Sequence, residues 1–535
     1  MGDAGSETDP LPSRIATLVH AHFDGLPNRS KPTIPDDRTA EWIPMTGIVL
    51  VKGENTPSET LTCVAVTTGA KCLPASQIPR CKGLVLHDCH AETLAMRAFN
   101  FWLLSECQSV LAHERNSPSN RDENDSLSPY IWRRKLSISD HEIKLAATPP
   151  FEIQPDVRIY MYGTCAPCGD ASMELSMAAQ DDPTPWTIPS TEREPEPSDT
   201  GCSSKPQRLD GRAHFSKLGI VRRKPARADA ESTKSKSCSD KLALRQVSSL
   251  LNLETSLLVA PTKSAYIAGL VLPEEEITRV GCARCFGGDG RMSGLRGRIW
   301  PVEAGSTGTD SQSEARYLYE FRPFQILSIP TEQLKSLWPF RRPRMSDVSS
   351  EEQGDGQAQT TPSVLRRSKP SNLSAIWVCA PTAIGSEDRN YPPSAVVVDT
   401  GTKSLPTLRG SRTGLFENII NGVRQGNKAS SPGLRGASAL SRAKLWSYAR
   451  EIALSLLSSI EGEGFGGERG SAPTPVLQAP TYREFKKEPG ISIDYVRARQ
   501  HAIQSARGVL EGWIPNSGDE NWGLDVLVDS KKRKR

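Results

Sequence analysis

Apolar residues recur along this chain with two kinds of spacing, and together they predict a mixed α/β protein. Alternating or continuous apolar runs favour strands, whereas steps of three and four residues give one apolar face and favour helices. Strands are predicted at residues 46–52, 61–67, 157–162, 266–271, 376–378 and 395–398. Helices are predicted at residues 13–23 with Ser13 as the cap, at 273–280, 438–458, 482–487 and 495–512, directly after His90 and Ser237, and from Met173 after the Cys168 loop, which would place Cys168 at a helix N-terminus.

Polar tracts interrupt this pattern and carry few apolar side chains. They lie at about 114–150, 181–207, 303–315 and 341–370. Burial within such tracts offsets too little of the entropy lost on ordering, so we predict disordered insertions rather than further domains. The chain is therefore predicted to form one domain over residues 11–525, followed by a basic tail over 526–535.

Composition narrows the environment in which the protein works. A net charge of +4 over 535 residues is compatible with an RNA partner without requiring one. The polar N-terminal residues do not resemble a signal peptide, and no run of 18 apolar residues predicts a membrane span. We expect an intracellular protein of the nucleus and/or cytoplasm, whose twelve cysteines serve metal binding or packing. The final basic run, 531–535, is either a nuclear localisation signal or an RNA contact.

The chemistry-bearing residues lie where helices are predicted to begin. His90 and Glu92 form a His-x-Glu pair, and Cys168 follows a proline, which is typical of zinc deaminases. That signature places a further cysteine where this chain has Ala171. Cys238, in a Ser-x-x-Asp helix start, is the candidate for the missing ligand, although a single cysteine is more often a buried apolar residue.

A different zinc site remains open at this point. Two Cys-x-x-Cys pairs, Cys165 with Cys168 and Cys282 with Cys285, offer four thiolates for a structural zinc. Their separation along the chain far exceeds the usual spacing of roughly 15–20 residues. This arrangement would also leave His90 and Glu92 without a role.

Three segments together closely resemble the motifs of the adenosine-to-inosine RNA deaminases. They are His-Ala-Glu at 90–92, Pro-Cys-Gly-Asp-Ala-Ser at 167–172 and Ser-Cys-Ser-Asp-Lys at 237–241. The segments 224–229 and 241–246 are most similar to the tRNA-specific branch. The short stretch before the first predicted helix also leaves no room there for a double-stranded-RNA-binding domain.

This resemblance implies a fold, a cofactor and a reaction. The fold is a cytidine-deaminase-like mixed sheet flanked by helices, with a helical C-terminal part. Zn²⁺ is held by His90, Cys168 and Cys238, and Glu92 transfers protons. The reaction is the hydrolytic deamination of adenosine to inosine in tRNA, at the adenosine 3′ of the anticodon of alanine tRNA. The alternatives are the same chemistry on mRNA or another structured RNA, or a catalytically silent RNA-binding subunit.

The resemblance also implies a buried inositol hexakisphosphate and an RNA surface. The expected residues of the phosphate site, including a relay through Asp88 and Lys241, are Asp88, Arg97, Lys241, Arg442, Tyr482, Lys486, Arg499 and Trp513. His87, Met96 and Asn516 depart from the family pattern there. Lys71, Lys224 and Arg227 are candidate phosphate contacts for tRNA, or else solvated surface charges. No obligate protein partner is expected.

Overall fold

A computed structural model describes most of the predicted elements. It covers residues 9–32, 41–116, 128–134, 149–178, 217–224, 231–301, 318–342, 368–382, 414–461 and 479–528. Much of each predicted insertion, the predicted strand at 395–398 and the tail from residue 529 lie outside these ranges, as does Arg227. No helix of the described part is long and apolar enough to cross a membrane.

Strands and helices follow one another along the described chain. The strands are β1 (Glu41–Trp42), β2 (Met45–Lys52), β3 (Thr60–Thr68), β4 (Ala70–Cys72), β5 (Asp88–His90), β6 (Ile131–Arg133), β7 (Phe151–Ile153), β8 (Val157–Gly163), β9 (Ile267–Pro273), β10 (Ile299–Pro301), β11 (Leu318–Glu320), β12 (Gln325–Ile329), β13 (Lys369–Pro370), β14 (Ser374–Cys379), β15 (Gly414–Ile420) and β16 (Val423–Arg424). The helices are α1 (Leu11–Asp24), α2 (Ala91–Asn116), α3 (Met173–Ala178), α4 (Cys238–Ser248), α5 (Leu253–Ser256), α6 (Arg279–Phe286), α7 (Thr331–Leu337), α8 (Arg442–Glu461), α9 (Tyr482–Ser492) and α10 (Asp494–Val509).

A mixed eight-stranded sheet organises the molecule, in the order β12-β9-β8-β2-β3-β14-β15-β16. The pairs β12–β9 and β9–β8 are parallel, and the remaining neighbours are antiparallel. The predicted strands at 46–52, 61–67 and 157–162 are confirmed as β2, β3 and β8, each slightly longer than expected.

Both faces of the sheet are covered, and strand β2 shows how. Successive side chains of a strand point to opposite faces. Ile48 and Leu50 join the core under α2, whereas Val49 and Val51 join a second core under α1. Phe23 of α1 packs edge-on against Trp338 at 4.8 Å between ring centroids in that second core. The layered α/β arrangement predicted from the sequence is therefore confirmed.

The C-terminal part is helical, as predicted, and has a core of its own. Trp446 of α8 stacks on Phe485 of α9 at 4.9 Å, while Tyr482 stacks on Trp522 at 4.6 Å. All four aromatic side chains belong to one buried cluster. This cluster joins the segment after α10, which carries Trp522, to helices α8 and α9.

Three local predictions are wrong for identifiable reasons. Helix α1 begins after Pro10, so Ser13 lies inside it and is not its cap. The helix predicted at 273–280 is instead a 3₁₀ turn (Glu274–Glu276) followed by α6, because Ile277 and Thr278 adopt extended backbone that suits β-branched residues. The helix after Ser237 ends at Ser248, before Leu250, where the prediction continued it.

Candidate metal centre

Three donor side chains from three distant segments meet at one end of α2 and α4. His90 ends β5, Cys168 lies in the loop after β8, and Cys238 is the first residue of α4. Their donor atoms all lie within 4.8 Å of one another, with Cys168 Sγ at 3.8 Å from His90 Nδ1. An imidazole and two thiols form a donor set that suits Zn²⁺ and leaves a fourth position for water.

Gly169 gives the Cys168 loop its shape. Its φ is +109°, and a Cβ at this position would lie 2.2 Å from Ser237 Oγ. The next three residues form a 3₁₀ turn, and α3 begins only at Met173. The predicted helix start at Met173 is confirmed, whereas the prediction that Cys168 itself lies at the N-terminus of that helix is wrong, because Gly169 and the 3₁₀ turn separate the two.

Ser239 ties the Cys168 loop to α4. Its backbone N–H donates to Cys168 O at 3.0 Å, and its hydroxyl donates to Pro167 O at 3.0 Å. The same hydroxyl accepts from the backbone N–H of Ala171 at 3.2 Å. Ala171 stands where the usual pattern has its second cysteine, so in this chain that position contacts the residue next to Cys238.

Polar contacts fix the start of α4. The predicted cap is confirmed, since Ser237 Oγ accepts from Asp240 N at 3.1 Å and donates to Asp240 Oδ2 at 2.6 Å. Arg291, after α6, pairs with the other carboxylate oxygen at 2.7 Å. The side chains of Arg291 and Asp240 are both buried. The first turn of α4, which carries Cys238, is therefore held both by its Ser237 cap and by Arg291.

Glu92 lies in the first turn of α2, beside the three donors. Its side chain is buried, and the Cys238 thiol donates to Glu92 Oε2 at 3.2 Å. Burial, together with the negative charge of Cys168, raises the pKa of the Glu92 carboxyl above its usual value. A carboxylate therefore stands within reach of anything that the donors bind.

Asp88 is a buried acceptor directly behind the donors. It accepts from Lys224 Nζ at 3.0 Å, from Ser235 and Lys241, and from the backbone N–H of His90 at 2.9 Å. Lys224 Nζ also donates to Cys238 Sγ at 3.4 Å. Lys224 was predicted to contact RNA phosphate, but the structure buries it between a carboxylate and a thiol.

The Cys168 thiol lies in a strongly electropositive environment. Its hydrogen bond with Cys238 is the largest cause that lowers the pKa of Cys168 well below its usual range. The charges of Lys224 and His90 act in the same direction, against the effect of burial. This arrangement favours the thiolate, which is the form that binds metal.

A second cluster brings together three arginine side chains, of which Arg499 is buried and Arg97 and Arg245 are half-buried. Arg245 donates to Leu251 O, Arg499 donates to the same carbonyl, and Arg97 donates to Leu440 O at 2.6 Å. Burial, and then repulsion from Arg499 and Arg97, lower the pKa of Arg245 to about 9. Arg499 Nε and Trp513 Nε1 are buried without a hydrogen-bond partner. Such a cluster fits a polyanion that would supply acceptors and negative charge.

The other predicted phosphate-site residues have protein partners. Arg442 pairs with Asp519 at 3.4 Å, Tyr482 donates to Glu254 at 3.0 Å, and half-exposed Lys486 pairs with Glu520 at 2.6 Å. Sequence reasoning missed Arg245 and Ser235. Arg245 follows Lys241 by four residues, one helical turn, and this spacing could have indicated it.

Lys71 and the four-thiolate alternative can also be placed. Lys71 lies on β4, opposite Cys89 of β5, with a half-buried side chain.

Within the described residues, no group of three or more possible metal ligands contains Cys282 or Cys285. The geometry therefore favours the His90, Cys168 and Cys238 arrangement over the structural zinc site.

Comparison with known proteins agrees with this geometry. A model of the adenosine-deaminase (editase) domain matches residues 65–285, which include all three donors and Glu92. Over 314 residues the chain is 35% identical to tRNA-specific adenosine deaminase 1 of Schizosaccharomyces pombe, covering 58% of this chain and 66% of that protein. Over 271 residues it is 31% identical to the protein of the same name from Saccharomyces cerevisiae, covering 50% and 60%. The matched region thus spans somewhat less than two thirds of either relative.

A more distant match points to a second kind of RNA deaminase. Over 127 residues the chain is 28% identical to double-stranded RNA-specific editase B2 of Mus musculus, covering 24% of this chain and 14% of that protein. The shared part is thus much shorter than for the yeast proteins.

Proposed function

Because residues 65–285 of this chain belong to the adenosine-deaminase (editase) family, we propose that the protein is a zinc-dependent enzyme that converts adenosine to inosine in tRNA. Membership in this family confirms the resemblance drawn from the three motifs. The observation that carries the proposal is the meeting of His90, Cys168 and Cys238 beside the buried carboxylate of Glu92.

His90, Cys168 and Cys238 would hold the zinc. When bound, zinc lowers the pKa of a coordinated water towards neutrality and so supplies the nucleophile of the reaction. Glu92 accepts one proton of the attacking water and delivers it to the adenine ring nitrogen, and it then transfers the second proton, from the hydroxyl added at C6, to the departing amino group. Water adds at C6 and ammonia leaves, so adenosine and water give inosine and ammonia.

The substrate we propose is an adenosine in the tRNA anticodon loop, 3′ of the anticodon of alanine tRNA. Both yeast relatives are named for tRNA. A loop base is already partly unstacked, so its extrusion into the site costs less than extrusion from a duplex. Lys71 and Arg227 remain the proposed phosphate contacts. The contacts of Lys224 with Asp88 and Cys238 favour a role in orienting the metal ligands over a role on the RNA surface.

Replacing Glu92 with Gln tests the mechanism. We expect Glu92→Gln to retain zinc but to lower the rate of inosine formation in purified tRNA by roughly 10²–10⁴-fold, because the proton acceptor is gone. Sequencing of the tRNA measures the reaction, and metal analysis measures the zinc. Glu114→Gln, at the far end of the same helix, should keep the wild-type rate.

Each result has a defined meaning. Robust turnover by Glu92→Gln contradicts the proposed mechanism. Inosine that forms only in mRNA or duplex RNA favours the alternative substrate. A zinc-loaded wild type that forms no inosine in any RNA indicates a silent RNA-binding subunit.

We further propose that inositol hexakisphosphate occupies the cluster of three arginine side chains. Arg97, Arg245 and Arg499 lack carboxylate partners within hydrogen-bond distance among the described contacts, and unpaired buried charges cost several kcal/mol. A polyphosphate neutralises several of them at once, while Asp88 links Lys241 in this region to Lys224 at the metal centre.

Release of the ligand by heat tests this proposal. Denatured wild-type protein should yield inositol hexakisphosphate near one equivalent per chain, as measured by phosphate-resolved chromatography. Arg499→Met should yield clearly less and unfold more readily, because its side chain is buried in the cluster. Arg483→Met, exposed on α9, is the matched control and should behave as wild type. A wild type that releases no inositol phosphate overturns the proposal.

A further inference from the structure

A second set of metal-donor side chains lies apart from the three already described. Cys81 follows the 3₁₀ turn Ala75–Arg80, His87 directly precedes β5, and Asp519 lies in the segment after α10. One donor atom from each residue lies within 4.8 Å of the other two. All three side chains are largely buried, and Cys81 is only 1% exposed. Neither the proposed reaction nor the phosphate site gives these three groups a common role.

The contact between His87 and Asp519 is close but is not a good hydrogen bond. His87 Nε2 lies 2.9 Å from Asp519 Oδ2, yet among the residues that the structure describes this buried nitrogen has no partner with hydrogen-bond geometry. The carboxylate itself is oriented, because Asp519 Oδ1 accepts from the backbone N–H of Gly83 at 2.9 Å. Carboxylates that bind metals commonly use one oxygen for the metal while a hydrogen bond from the protein holds the other oxygen. Asp519 is oriented in this way, with Oδ2 beside the His87 nitrogen and Oδ1 held by Gly83.

The charges around the cluster are compatible with a divalent cation. Burial, and then the charge of Arg442, lower the pKa of His87 to about 4, so its ring is neutral and can donate a lone pair. Two cationic side chains would repel a metal ion here. Arg442 Nη1 lies 3.4 Å from Asp519 Oδ2, and the charge of Arg97 has a smaller effect on His87. Burial and the charge of Asp519 raise the pKa of Cys81 to about 12, so the metal itself would have to displace the thiol proton; two anionic donors would then face the two charges of the metal.

We propose that Cys81, His87 and Asp519 form a second site for a divalent transition metal, of which zinc is the expected occupant. Nitrogen, sulfur and carboxylate donors match zinc, whereas magnesium and calcium prefer oxygen donors alone. The bound ion would connect the segment after α10 to the residues that lead into β5. Since β5 ends in His90, this metal would act as a structural brace for the strand that carries a donor of the first site.

Metal counting on the full-length protein tests the proposal. After reconstitution with excess zinc and removal of the free ion, Cys81→Ser and Asp519→Asn should each hold one zinc per chain fewer than wild type. Cys107→Ser removes an equally buried thiol that belongs to no group of possible ligands among the described residues, and it should keep the wild-type content. Cobalt reconstitution of the double variant Cys168→Ser/Cys238→Ser, which lacks both thiols of the first site, should still give a thiolate-to-cobalt absorption band, and adding Cys81→Ser should abolish that band.

The test does not depend on the proposed enzymatic function, because the readout is a difference in metal content. Equal zinc content in wild type, Cys81→Ser and Asp519→Asn overturns the second site, whatever the first site holds. The same conclusion follows if the cobalt-loaded Cys168→Ser/Cys238→Ser variant shows no band that depends on Cys81.

Discussion

Gly169 shows how a single residue can determine the geometry of a metal centre. Its left-handed backbone directs the Cys168 loop against Ser237, which caps the helix that carries Cys238. A side chain at this position would meet the cap directly. The two thiols are therefore brought together partly because residue 169 has no Cβ.

Gly169→Ala should damage both stability and metal binding. The strained φ and the contact at 2.2 Å predict a loss of about 1–3 kcal/mol in the free energy of unfolding. Displacement of Ser237 should also weaken zinc binding by roughly 10–100-fold. Urea denaturation and competition with a zinc chelator measure the two effects. Gly433→Ala, where φ is negative and nothing lies within 4 Å of the new Cβ, should show neither.

Glu106 gives the protein a pH-dependent stability far from the metal centre. Burial raises the pKa of this carboxyl from 4.5 to about 7, although Thr382 and Ser128 donate hydrogen bonds to it. The folded state thus keeps a proton that the unfolded state loses. Its stabilising effect is complete below pH 4.5 and is lost as the pH rises through 7, with a total on the order of 3 kcal/mol.

Glu106→Gln should remove this pH dependence, because the amide stays neutral at every pH. Between pH 5 and 8, the free energy of unfolding of wild type should fall more steeply than that of the variant, as measured by urea denaturation. Glu332→Gln, on the exposed surface of α7, should keep the wild-type slope. Parallel slopes for wild type and Glu106→Gln contradict the assignment.

At this scale, sequence reasoning identified the candidate donors and the neighbouring pair Asp88 and Lys241, but not the part that Lys224 plays beside them. Short motifs contain His90, Glu92, Cys168 and Cys238, and their residue types indicate metal binding and proton transfer. Lys224 lies in a basic segment that reads as surface, and only the fold shows that its amine enters the interior to meet Asp88. Long basic side chains reach far from their own backbone, so their partners do not follow from local sequence.

At the scale of elements, α4 and α6 brace the metal centre through buried charges. Arg284 of α6 pairs with Asp170 in the turn after Cys168, and Arg291 pairs with Asp240 in the first turn of α4. Asp170 and Asp240 are both fully buried. A buried charge that loses its partner is costly, so these pairs fix where the two thiol-bearing segments begin.

Arg291→Met should leave the Asp240 carboxylate buried without its cation. The expected loss is about 3–5 kcal/mol in the free energy of unfolding, measured by chemical denaturation. Arg296→Met breaks an ion pair with Asp289 on the surface and should cost no more than about 1 kcal/mol. Similar values for the two variants would show that burial does not make the first pair important.

Element boundaries were predictable where the hydrophobic pattern is strong. Strands β2, β3 and β8 and helices α1 and α2 form close to where the pattern places them, because each buries a regular apolar face. Helix α6 was misplaced, since a proline and three glutamates suggest a helix start whereas the β-branched residues after them extend the chain. Competing local preferences of similar size are decided by packing, which sequence alone does not show.

For the whole molecule, the cytidine-deaminase-like mixed sheet and the helical C-terminal part are confirmed. The resemblance of three motifs was sufficient for this, because the family that they indicate implies this fold. Strand order within the sheet was not predicted. It depends on pairings such as β3 with β14, which lie about three hundred residues apart and leave no local signal.

The parallel pair β8–β9 has a consequence for how the chain tolerates change in length. Cys168 and Cys238 both lie in the crossover that joins these strands, and 70 residues separate them. Contacts at the two ends of that crossover hold the thiols together, because Ser239 of α4 bonds directly to Cys168 O and Pro167 O. The sequence predicts an insertion at 181–207, and each doubling of a flexible loop costs only about 0.6 kcal/mol, so we expect a change in the length of that insertion to leave the thiols together as long as the Ser239 contacts remain.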